Sequence, residues 1–242
     1  MNFFEKAKKF FASKAKKPGG KEKLGKEKYG WRDELRDWAL SFAIAAAVYF
    51  LILPAVLGTT TPAVVVASCS EKGFLNIGDV LVLQGVKASD VKAPLVTVDR
   101  FTGFRTIVRD NEVVGLNVSG QVVMLDRSSD IVVYYANPSR IQVIHRVFAR
   151  VNETSKNRVL LITKGDANSI PDQLSRNGIA CVDENFGCIS TPVTQEMLVG
   201  KQAFFALPLL GHVKLFFCDA SFNTVCDGHA NLGTGYKYEL SC

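Results

Sequence analysis

Histidine is scarce in this 242-residue chain: only His145, His212 and His229 occur. That leaves too few imidazoles for a His-rich metal centre and gives any imidazole base three candidates. Neither a Gly-rich phosphate loop nor an HExxH helix is present, and no repeat of 20 to 50 residues, which argues against P-loop, zincin and solenoid architectures. No long amphipathic helix is legible after residue 60. Charge is missing altogether between Asp37 and Glu71. Residues 1–37 hold 12 Lys/Arg against 6 Asp/Glu and so carry the whole net charge of +6, while residues 38–242 balance at 17 against 17. A basic globular surface for nucleic acid is therefore not expected.

What is present is 48% hydrophobic and 21% charged, enough for one sizeable domain or two small ones. Within the uncharged gap, Trp38 to Leu57 reads WALSFAIAAAVYFLILPAVL, and twenty such residues as a helix span about 30 Å, the thickness of a hydrocarbon core. A cleaved secretory signal would have a shorter leader and a shorter apolar stretch. Pro54 stands near the distal end, where a lost backbone bond costs least. Basic residues flank this helix only on its N-terminal side, so residues 1–37 are expected in the cytoplasm and residues 58–242 outside the cell membrane. Phe3, Phe4, Ala7, Phe10 and Phe11 recur at helical spacing opposite Lys6, Lys8 and Lys9, the pattern of a basic amphipathic helix on anionic lipid, or else a solvated basic tail. Lys16 to Gly30 reads as a flexible linker.

Cysteine usage suits an exported domain. Cys181 with Cys188, and Cys218 with Cys226, are each spaced for a short loop closed by one bridge; the rival, a four-thiolate zinc site, would want tighter CxxC-like knuckles. Beyond the anchor, β-branched runs broken by Gly, Asn, Asp and Pro occupy Ala63 to Ala67, Val80 to Leu83, Gln121 to Leu125, Ile131 to Tyr135, Ile141 to Phe148, Arg158 to Thr163 and His212 to Phe217. They indicate a mainly β, all-β class of domain.

A histidine in a strand such as Ile141 to Phe148 is most often a packed residue, and it is the surrounding segments that single out His145. Ser68-Cys-Ser-Glu-Lys-Gly73 precedes Gly78-Asp79. Then follow Ser129-Asp-Ile-Val-Val-Tyr134, His145-Arg-Val147, Thr163-Lys-Gly-Asp166 with Asp172, and Leu207-Pro-Leu-Leu-Gly211. In order and spacing, over residues 38 to 217, this set resembles the type I signal peptidases, in the archaeal and endoplasmic-reticulum branch where histidine replaces the lysine base.

The resemblance implies a signal-peptidase-like β domain after one transmembrane helix, acting as a serine endopeptidase that removes signal peptides. Ser70 is then the nucleophile and His145 its general base, because a serine hydroxyl attacks only when a base takes its proton. Asp172 and Asp166 are both available to orient the imidazole, and the resemblance favours Asp172, with Asp166 in support. The Ser70 backbone N–H and the Ser68 hydroxyl would bind the oxyanion. Val64, Val65, Val66 and Ala67, with Gln142, Val143 and Ile144, would line an extended substrate. The expected partners are signal-peptide-bearing preproteins, membrane lipids and the protein-export channel; no cofactor and no metal is expected.

This chain departs from the family pattern at Cys69, Glu71 and Gly73, where the family has Gly, Met and Pro. Glu71 is expected to put a carboxylate beside the nucleophile, raising the imidazole pKa and opposing the oxyanion. The alternatives are an inactive relative that binds exported peptides, and an unrelated disulfide-stapled binding domain. Residues 86–127 exceed the minimal family core and are expected to be an insertion.

Overall fold

A computed structural model describes residues 31–71, 73–208 and 210–211. The expected amphipathic helix and linker and the strand at 212–217 lie outside the described residues. So do Cys218 and Cys226, and with them the second of the two expected disulfides. The chain divides into two compact units, residues 1–45 and 46–242.

A continuous helical run, Trp31–Leu57, is long and apolar enough to cross a membrane. It consists of α1 (Trp31–Ala47), a π-helical turn (Val48–Ile52) and α2 (Leu53–Leu57). It begins at Trp31 rather than Trp38, since the polar turn before the apolar stretch is itself helical and sets Asp33 and Glu34 at the positive end of the helix dipole. Pro54 accounts for the π turn. Its ring has no N–H and crowds the carbonyl four residues back, so the preceding turn widens and Leu53 N–H reaches Val48 O. Gly58, left-handed at φ 65°, ends the run. Trp38, Phe42 and Phe50 are exposed along it.

The second unit is mainly β. Its larger sheet has seven strands: β1 (Ala63–Val65), β2 (Val80–Gln84), β10 (Leu198–Leu207), β7 (Ile131–Tyr135), β8 (Gln142–Glu153) and β3 (Leu95–Val98) in spatial order, with β9 (Arg158–Lys164) on the other edge of β8. Along one edge, β8 pairs first with β7, antiparallel, and then with β3, parallel. The 12-residue β8 is thus the spine of the sheet.

Residues 86–127, expected to be an insertion, supply β3 and a second, three-stranded sheet of β4 (Arg105–Arg109), β5 (Glu112–Val118) and β6 (Gln121–Met124). Two-residue turns with positive φ at Asp110 and Asn111, and at Ser119 and Gly120, join these strands, the geometry that suits the right-handed twist of a hairpin. Val113, Leu116 and Val118 of β5 pack on Phe148, Ala149 and Val151 of β8 and on Leu160 and Ile162 of β9. The segment therefore covers one face of the large sheet.

Leu116 is fully buried in that interface. Leu116→Ala should destabilise the protein by about 2–5 kcal/mol, read as a lower midpoint in denaturant unfolding of the detergent-solubilised chain.

Candidate active site

Strand alternation sends every second side chain to the same face, and antiparallel partners share a face. Tyr134 pairs with Val143 and Val132 with His145 across β7–β8, while Val147 pairs with Thr163 across β8–β9. Tyr134, His145 and Thr163 thus converge from three neighbouring strands on one face. Asp172 meets them there. Its segment runs beside β9, with Asp172 N–H donating to Thr163 O at 2.9 Å and Ser190 N–H donating to Asp172 O at 3.1 Å.

Asp172 Oδ2 lies 2.7 Å from His145 Nδ1 and accepts from Tyr134 O–H at 2.8 Å and Thr163 O–H at 2.6 Å. Gln173, fully buried, braces the same corner: its Oε1 accepts Thr163 N–H at 2.9 Å and its Nε2 donates to Thr163 Oγ at 3.1 Å. Burial resists ionisation of Asp172, but the imidazole and the hydroxyl donors outweigh it and hold the carboxyl below its usual range. Burial likewise works against a charged His145, and Asp172 overcomes it, leaving the imidazole pKa above its usual value. With Nδ1 on the carboxylate, Nε2 is the nitrogen left to handle a proton.

Ser70 lies in the loop of the β1–β2 hairpin, whose neck is closed by Val66 N–H to Asp79 O and Gly78 N–H to Val66 O, both 2.9 Å. Asp79 Oδ2 accepts Asn76 N–H within the loop, and Gly78 O accepts Gly211 N–H at 2.8 Å, so the Gly78-Asp79 and Leu207 to Gly211 segments meet at this neck. Ser70 O accepts Ala167 N–H at 2.8 Å, which docks the loop on the turn after β9. A Cβ added at Gly165 would stand 2.8 Å from Ser70 O and 2.9 Å from His145 Nε2. Only a bare backbone lets the serine loop and the imidazole approach so closely. The hydroxyls of Ser68 and Ser70 are 3.2 Å apart; among the described residues no hydrogen bond joins Ser70 to His145.

Asp166 does a different job from Asp172. Arg146, on the opposite face of β8 from His145, grips it through Nε and an Nη at 2.8 and 2.7 Å, and donates through its other Nη to Arg127 O and Ser129 O, both at 2.8 Å. Burial opposes its charge, but this fork holds Asp166 below the usual carboxylate range. The guanidinium also stacks over Phe74, 5.1 Å from the ring centroid.

Glu71 adds to the upward push on the His145 imidazole, as expected, but its own environment works against a charge. Its side chain turns inward and is 1% exposed. Burial and the neighbouring Asp166 push its pKa up to about 8, which favours the neutral acid over the carboxylate. Lys164, also buried, has Nζ 3.3 Å from Gly165 O, and desolvation holds it below the usual lysine range.

Of the residues expected to touch substrate, Val64 and Val66 point into the core, while Val65 and Ala67 are half-buried, as are Gln142, Val143 and Ile144. Cys181 and Cys188 form a disulfide, as their spacing suggests. The companion bridge expected between Cys218 and Cys226 falls on residues outside those described. Cys69, for which no bridge was expected, is disulfide-bonded as well. Tyr134, Thr163 and Gly165 stand in the quoted motifs without a role assigned to them from sequence, and Gln173 carries no local signal. None of them belongs to a nucleophile or base pattern. Among the described residues no cluster of His, Cys, Asp and Glu could hold a metal ion.

Asp172→Asn removes the largest of the charges that lift His145, leaving burial opposed only by Glu71 and Asp166, so the imidazole pKa should fall from its raised value, as followed by an NMR titration of the ring. Gly165→Ala overfills the contact between the serine loop and the imidazole and should cost about 1–3 kcal/mol, measured as a lower denaturation midpoint.

No protein-family model and no curated protein matches this chain.

Proposed function

We propose that this protein is a membrane-anchored serine endopeptidase that removes signal peptides from exported preproteins, with Ser70 as nucleophile and His145 as general base. The observation that carries it is the buried Nδ1 contact between His145 and Asp172, at 2.7 Å, with Nε2 left beside the Ser70 loop. In the free protein the Ser70 hydroxyl rests against Ser68. Rotation about χ1 on substrate binding turns it to Nε2, and such hydrogen bonds commonly tighten only in the complex.

Ser70 Oγ then adds to the scissile carbonyl while Nε2 takes the hydroxyl proton, and Asp172 stabilises the imidazolium that forms. The carbonyl oxygen, now negative, accepts from the Ser70 N–H and the Ser68 hydroxyl, a contribution of about 2.7–4 kcal/mol per donor. His145 gives its proton to the leaving amine, the acyl-serine forms, and water hydrolyses it by the reverse sequence. Asp166, fixed by Arg146, supports the turn that carries Gly165 and Ala167. The half-buried Val65, Ala67 and Gln142 to Ile144 would flank an extended peptide.

The apolar Trp31–Leu57 helix supports membrane anchoring. The basic excess before it favours residues 1–37 in the cytoplasm and the β domain outside, where preproteins, lipid and the export channel would be met. The second reading, an inactive relative that binds exported peptides without cleavage, draws on a charged Glu71, and the upward shift of Glu71 supports the active reading over it.

The test is cleavage of a preprotein with a small-residue cleavage site, in detergent, with the new N-terminus mapped by mass spectrometry. Ser70→Ala and His145→Ala should each lower the rate by about 10³-fold or more. Cleavage that persists in both would sink the assignment.

A further inference from the structure

We propose that Glu71 is a positioning residue for Ser70 that works only in its neutral form, so that the nucleophile loop is released when Glu71 ionises. This extends the peptidase assignment above, on which its rate arm rests.

Glu71 follows the nucleophile directly and is the hinge of its loop: Glu71 O accepts both Phe74 N–H, at 3.0 Å, and Leu75 N–H, at 2.9 Å. Its side chain reaches across to the turn after β9, where Oε1 accepts Asp166 N–H at 3.2 Å. One residue therefore ties the serine loop to the turn that packs against the imidazole. Oε2 is buried and has no hydrogen-bond partner among the described residues. With Oε1 occupied as an acceptor, Oε2 is the oxygen free to carry the proton of the neutral acid.

The groups facing this carboxyl decide what loss of that proton does. His145 and Arg146 face it from β8, and Asp166 and Lys164 from the end of β9 and the turn beyond. Arg146 is already committed to Asp166 by two hydrogen bonds. An ionised Glu71 would hold a bare oxygen next to the Asp166 carboxylate and away from water, and such a charge is relieved by leaving the pocket. Leaving the pocket pulls on the Glu71 backbone, and with it on Ser70. A charge that stayed would instead favour the imidazolium over the free base.

The sign in stability is fixed by the same shift. The unfolded chain loses this proton around 4.5 and the folded chain at about 8, so folding stability falls as pH rises through that window and levels off above it. Glu71→Gln keeps the acceptor and cannot ionise. Glu71→Met keeps the bulk and removes both the acceptor and the charge.

Two readouts on the full-length protein test this. The first, independent of any cleavage, is the melting temperature from pH 6 to pH 9. The unaltered protein should lose roughly 5 °C or more relative to Glu71→Gln. The second is the preprotein cleavage rate. Above about 8 it should fall, by about tenfold at pH 9, in the unaltered protein but not in Glu71→Gln. Glu71→Met should also lack the alkaline fall yet run below Glu71→Gln at every pH, because Asp166 N–H is left bare. Equal melting profiles for the unaltered protein and Glu71→Gln would overturn the proposal, as would an alkaline fall that Glu71→Gln retains. Should no form cleave at any pH, the peptidase assignment fails and the melting profiles alone decide the role of Glu71.

Discussion

A single carboxylate oxygen organises the core of this domain. Asp172 Oδ2 collects His145 Nδ1, the Tyr134 hydroxyl and the Thr163 hydroxyl within 2.8 Å, and the side chain is wholly buried. A charge in such a place without partners would cost several kcal/mol. Its neighbours come from three strands, so β7, β8 and β9 must keep their registers for the charge to be tolerated at all. A slip of one residue in any of them would carry a donor to the opposite face of the sheet. The requirements of the fold and of the imidazole are here the same requirement.

The consecutive residues His145 and Arg146 divide the work across β8. One serves Asp172 on one face, and the other serves Asp166 on the opposite face. The turn from Gly165 to Asp172 wraps the end of β9 and is held at both ends by these two pairs. The second sheet holds it in the middle, since Val113 N–H of β5 donates to Ser169 O at 3.2 Å. Residues 86–127 are therefore part of the frame around the candidate site as well as a cover for the apolar face of β8 and β9.

How much of this could be read from sequence follows from the range of each interaction. The apolar helix, the strands β1, β2, β6, β7, β8 and β9 and the Cys181–Cys188 bridge are local patterns, and their places agree with the structure to within a few residues at most ends. β4 and β5 are not legible although Asp110-Asn111 and Ser119-Gly120 are hairpin turn signals, because Val108 is exposed on β4 and the adjacent Gly115 and Leu116 are both buried on β5, which blurs the alternation that marks a half-buried strand, and β3 is only four residues long. β10 was missed for another reason. Its pairings with β2 and β7 each carry a register shift, and Gly200 stands within it because Gln84 O lies where a Cβ would go. The segments containing Ser70, His145 and Asp172 were legible as a set, whereas Tyr134, Thr163 and Gln173 act through contacts 9 to 38 residues apart in the chain. Nothing local distinguishes such residues from ordinary core.

The charge of Glu71 is illegible for the same reason, since the identity of a residue does not state its protonation. Asp172 and Glu71 are 0% and 1% exposed, so desolvation presses on both. What separates them is their partners: Asp172 has an imidazole and two hydroxyl donors, and Glu71 has one backbone N–H at 3.2 Å with a carboxylate nearby. The first is driven below the usual carboxylate range and the second up to about 8. The ionised Asp172 stands at Nδ1 of the imidazole and favours its protonated form, while Glu71, next to Ser70, is pushed toward its neutral form and the charge of Asp166 is met by the Arg146 fork. Two acids in one buried cluster are thus pushed in opposite directions by what surrounds them, an imidazole and hydroxyl donors for one and burial beside another carboxylate for the other.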